Sequence, residues 1–138
     1  MSKQKQVTRA LNKAQQALDR LPPQIPEYVR PALMYAMANW FAQGQLPSVM
    51  FVETGGEFPE QVMVPPDLDG VAVPEWMYRQ AANRNAAAVY FAYESVEDTL
   101  TVLYQAPHVF HNLSAEVVTT GKKRDIGAWS IQTLYPEK

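Results

Sequence analysis

A chain of 138 residues, 47% apolar and 19% charged, has the composition of one folded domain, not of a disordered tail or a two-domain protein. It holds no cysteine, which excludes disulfides, thiolate zinc sites and thiol nucleophiles. The formal net charge of −2 conceals a segregation: residues 1–20 carry five basic side chains against one acidic, a net of +4, and the remaining residues carry seven basic against 13 acidic, a net of −6.

The chain opens on a helix over roughly residues 5–21. Val7, Leu11, Ala14, Leu18 and Leu21 recur at spacings of four and three, which gathers them within about 40° of one line on a helix. Lys5, Arg9, Lys13 and Arg20 fall on the opposite side. The segment lacks an apolar leader, so a cytoplasmic protein is expected. Pro22 and Pro23 end the helix and begin a stiff linker over 22–26. A second helix is expected over roughly 27–43, its regular part starting near Arg30 because Pro31 fits only the first turn. Leu33, Met34, Tyr35, Met37, Trp40 and Phe41 surround it, which marks a buried helix, and Gly44 is its expected C-cap. The apolar stretch around Ala32 to Ala42, interrupted by Asn39, is too short to span a bilayer.

Val49–Glu53 and Gln61–Val64 read as strands of a hairpin around Thr54-Gly55-Gly56. Pro74 and Glu75 open a third helix reaching about Asn83. The rest is β-rich. Ala87–Glu94 and Thr99–Gln105 form one hairpin, and Leu113–Thr120 and Ile126–Thr133 form a second around Gly121-Lys122-Lys123-Arg124-Asp125. Each of these strands alternates, which predicts one covered sheet face and one facing water. The expected fold is a single α+β domain: a mostly antiparallel sheet of about five to six strands and three helices packed mainly on one face. Within it, 1–21 is the basic helix, 22–26 the linker and 27–138 the globular core.

No arrangement of residues spells a catalytic site. None of Ser48, Ser95, Ser114 and Ser130 lies in a G-x-S-x-G elbow, and Gly121-Lys122-Lys123 lacks the remainder of a P-loop. Gly55-Gly56-Glu57-Phe58 resembles the signature hairpin of diguanylate cyclases. It lacks that hairpin's second acidic residue, is followed by Pro59 and has no nucleotide-binding framework around it, so the resemblance is set aside. The two histidines, His108 and His111, lie beside Pro107 in what reads as a connection. A metal there would need a carboxylate such as Glu116 or Glu94 as third ligand. Glu53, Glu57, Glu60, Asp67 and Asp69 form an acidic stretch that reads as a solvated loop. No cofactor is expected.

Charge therefore carries the functional expectation. The sequence predicts a non-enzymatic interaction or accessory module, self-associating or docked on another protein through Arg9, Leu11, Lys13, Leu18 and Arg20. The alternatives are a nucleic-acid-associated protein using the basic helix with Lys122, Lys123 and Arg124, and a small metal-dependent hydrolase built on His108, His111 and Glu116. The apolar face of the basic helix has no aromatic residue, so no membrane partner is expected.

Overall fold

The structure, a computed structural model, describes residues 3–46, 48–57, 59–69, 72–95, 98–107 and 109–133. Among the described residues three α-helices, α1 (Lys3–Asp19), α2 (Arg30–Gln43) and α3 (Val73–Arg84), accompany six strands: β1 (Val49–Glu53), β2 (Glu60–Met63), β3 (Ala88–Ser95), β4 (Thr99–Ala106), β5 (Val109–Thr120) and β6 (Lys123–Thr133). The strands form one antiparallel sheet in the order β2-β1-β3-β4-β5-β6. The fold is thus α+β, with β2 and β6 at its edges.

Local chemistry sets the boundaries. Pro26 precedes a 3-10 turn, Glu27–Val29, which leads directly into α2 with Pro31 in the first turn, where its missing N–H costs nothing. Gly44 ends α2 in the left-handed conformation at φ 73°, donating its N–H to the Trp40 carbonyl at 2.8 Å. At the other end of the chain Thr120 pairs with Lys123, so only Gly121 and Lys122 turn the hairpin. Gly121, at φ 63°, occupies the first central position, which takes a residue of positive φ in a type II′ turn.

Two apolar cores lie on opposite faces of the sheet. On one, α1 and α2 cover Tyr90, Leu100, Val102, Tyr104, Leu113, Ala115 and Trp129. On the other, Val73 and Met77 of α3 meet Met50, Val52, Val89, Phe91, Leu103 and Phe110. Two of the three helices therefore share a face. The expectation that each strand keeps a wet face fails for β3 and β4. Ala88 through Phe91 are all buried, as are Leu100 through Tyr104, because α3 covers this part of the second face. Alternation survives in β5, where Leu113, Ala115 and Val117 point inward while Glu116 and Val118 are exposed.

A bulge resets β6. Ala115 pairs with Trp129 but Val117 with Ile126, so β6 carries one extra residue at Gly127–Ala128. Trp129 and Ile131 face the helices on odd numbers, and beyond the bulge Ile126 and Arg124 face them on even numbers. A Cβ on Gly127 would lie 3.4 Å from the Glu116 carbonyl oxygen, within van der Waals contact.

Candidate functional site

The α1 helix buries the Ala14, Leu18 and Leu21 part of the expected line but not its Val7–Leu11 end. Ala10 and Ala14 are buried with Leu18, and Ala17 and Leu21 pack beside them, so a seam of small side chains brings α1 close to α2. Val7 and Leu11 are 50% and 43% exposed. Leu18, at 6% exposure, belongs to the core and is unable to meet a partner. The reason is steric. Alanine lets two helix backbones approach, and the seam through Ala10 and Ala14 lies to one side of the Val7–Leu11 line. Arg9, Lys13 and Arg20 are exposed and have no ion-pair partner among the described residues. Lys13 is not fully in water: its Nζ lies 5.4 Å from the centre of the Phe41 ring.

The acidic stretch lies at the β1–β2 end of the sheet. Glu57, Glu60 and Asp67 are exposed, and Glu60 makes one loose ion pair with Arg84 at 3.9 Å.

The basic hairpin tip is divided. Lys122 and Lys123 are exposed. Arg124 is turned by the bulge toward α2, where it donates to the Glu94 carboxylate at 2.7 Å and lies 5.0 Å from the Trp40 ring centre. Glu94 also accepts the Trp40 indole N–H at 2.8 Å. Arg124 thus ties β6 to β3 and α2.

The metal set also comes apart. His108 lies outside the described residues. His111 belongs to β5, not to a connection, and as an odd-numbered residue before the bulge it faces the helices, whereas Glu116 faces the other way. Glu94 is engaged with Arg124 and Trp40. Among the described residues no three His, Asp or Glu side chains lie close enough to hold a metal ion.

What sequence reasoning missed is the environment of His111. The register puts Phe51, Tyr90, Tyr104, His111 and Thr133 opposite one another in turn, in one row across β1, β3, β4, β5 and β6. Their rings contact: Phe51 and Tyr90 at 5.4 Å, Tyr90 and Tyr104 at 6.2 Å, Tyr104 and His111 at 6.3 Å between centres. Tyr35 of α2 stacks on Phe51 at 5.0 Å, and Tyr28 of the 3-10 turn packs against both Tyr104 and His111. The Tyr28 hydroxyl lies 2.5 Å from His111 Nε2, and His111 Nδ1 lies 2.9 Å from the Thr133 hydroxyl.

A neutral imidazole offers one donor and one acceptor, which these two hydroxyls satisfy. Burial lowers the His111 pKa below its ordinary value, because charging the ring would take an ion out of water. Burial, reinforced by the nearby Glu53 carboxylate, pushes Tyr104 up to about 12 and moves Tyr90 in the same direction. The Tyr90 hydroxyl is buried with no hydrogen-bond partner among the described residues. Alternation could have placed Tyr104 on the inner face. Only the pairing register, which a single sequence does not encode legibly, brings Tyr104 beside His111.

No helix among the described residues is long and apolar enough to cross a membrane. The chain matches no protein-family model, and neither a curated protein nor a solved structure shows a significant likeness to it.

Proposed function

We propose that the protein is a non-enzymatic interaction module that self-associates, the basic outer face of α1 in one copy meeting the acidic β1–β2 end of another. The observation that carries this reading is the survival of the charge segregation on the folded surface. Arg9, Lys13 and Arg20 are left without ion-pair partners among the described residues, and so are Glu57 and Asp67 at the other end of the charge pattern. Val7 and Leu11, about half exposed, lie across the helix from Arg9, between the buried seam and the basic face. A second α1 helix is a poor occupant, since its own cations would be brought against these.

Single exposed ion pairs contribute only about 0.2–1 kcal/mol, so several must act together, and added salt must weaken them. Sedimentation equilibrium at low and high salt tests the reading. The expected result is an oligomer at low salt that dissociates as salt rises and is lost in Arg9→Glu/Lys13→Glu. A monomer at every salt and protein concentration would refute it.

A further inference from the structure

We propose that Tyr28 is a site of one-electron oxidation, yielding its electron to a small radical oxidant while its phenolic proton passes to His111. A phenol that loses an electron becomes a strong acid, so the loss is easy only where a base already holds the hydroxyl. His111 Nε2 stands 2.5 Å from the Tyr28 oxygen. When Nδ1–H donates to the Thr133 hydroxyl, 2.9 Å away, the Nε2 lone pair is the one directed at Tyr28. The Tyr28 ring, packed at 5.6 Å from Tyr104 and 5.7 Å from His111, holds the oxygen in place.

The step balances as follows. One electron leaves the phenol for the radical oxidant, which becomes its anion. The O–H bond of Tyr28 breaks and an N–H bond forms at Nε2, leaving a neutral phenoxyl radical beside an imidazolium. A one-electron reductant such as ascorbate then refills the ring, and the proton returns from Nε2 to the oxygen.

The competing sites are worse placed. Tyr90 has a buried hydroxyl with no hydrogen-bond partner among the described residues to take its proton. Trp40 has a carboxylate on its N–H, but the Arg124 guanidinium 5.0 Å from its ring centre opposes a positive hole there. No cysteine exists to intercept the oxidant.

Azidyl radicals generated in a solution of the whole protein with a nitroxide spin trap test the proposal, adducts being mapped by peptide mass spectrometry. Tyr78, more exposed than Tyr28 at 63% against 50%, is the internal reference. Tyr28 should carry several-fold more adduct than Tyr78. His111→Gln, with an unchanged far-UV circular dichroism spectrum, should bring Tyr28 down to the Tyr78 level. Adducts that follow exposure in the wild-type protein overturn the proposal, as does a Tyr28 preference that survives in His111→Gln. Should that variant fail to fold, the wild-type ratio decides alone.

Discussion

Truncating Leu18 and Leu11 separately to alanine tests which line of α1 holds the helix to the fold. Leu18 is 6% exposed and lies in the core with Ala14, Val29 and Leu33. Removing a leucine side chain at such a site loses its transfer free energy and leaves a cavity, and near the end of a helix, where neighbours can relax, about 2–3 kcal/mol is expected. Leu11 is 43% exposed, and alanine is the better helix former, so Leu11→Ala should cost no more than about 0.5 kcal/mol. For a chain of this size, about 3–5 °C of Tm per kcal/mol separates the two by roughly 6–10 °C. Urea unfolding followed by far-UV circular dichroism and by tryptophan fluorescence gives both values, provided the two probes coincide and the m-values are equal. Equal losses for Leu11→Ala and Leu18→Ala would refute the seam, because α1 would then be docked through the Val7–Leu11 line. A Leu11→Ala loss that appears only at high protein concentration would instead report its burial between copies.

Tyr90→Phe removes a buried hydroxyl that has no hydrogen-bond partner among the described residues, so its stability should be unchanged or rise by up to about 1 kcal/mol, and a loss in urea unfolding would mean that the hydroxyl is satisfied. His111 makes stability depend on acid: the fold holds the ring neutral below its ordinary pKa of about 6.5, the unfolded chain then binds the extra proton, and stability falls as pH drops through that value. Unfolding free energies of wild type and His111→Gln, compared from about pH 7.5 down to about pH 5, should therefore show the variant with the shallower decline.

The elements of the fold were largely legible because each depends on local chemistry. Pro31 and Gly44 delimit α2, Pro74 opens α3, and the alternation of Leu100, Val102 and Tyr104 marks β4, all within a residue or two of where the structure puts them. What the sequence conceals is pairing. A period of two says which residues share a face but not which strands adjoin, so the row from Phe51 to Thr133 had no visible signature. The bulge at Gly127–Ala128 had a visible glycine but no visible phase change. Without it Arg124 would count as an outward residue of a solvated tip, and with it Arg124 reaches Glu94. On α1 the Ala14, Leu18 and Leu21 part of the expected line packs inward, whereas at its Val7–Leu11 end Ala10 takes the contact, because close helix approach rewards small side chains over large ones.

If α1 of one copy meets the β1–β2 end of another, the contact has two unlike halves, and exchanging their charges should transfer specificity without a new shape. Arg9→Glu/Lys13→Glu/Arg20→Glu takes residues 1–20 from +4 to −2 and leaves a chain acidic at both surfaces, and Glu57→Lys/Glu60→Lys/Asp67→Lys takes the stretch from Glu53 to Asp69 from −5 to +1 and leaves one basic at both. Neither should associate with itself, since like charges then face each other wherever the contact would form. Mixed, the two should bind: the acidic α1 of the first meets the basic hairpin of the second, and the unchanged α1 of the second meets the unchanged hairpin of the first. A two-fold arrangement would form both contacts at once, so the mixture should give a one-to-one complex that dissociates with salt. The loss of the Glu60–Arg84 pair in the second variant costs little, because at 3.9 Å between exposed groups it contributes about 0–1 kcal/mol. Sedimentation velocity of each variant alone and of the mixture decides the matter. Variants that remain associated alone, or a mixture that sediments as two monomers, would refute the pairing of these two surfaces.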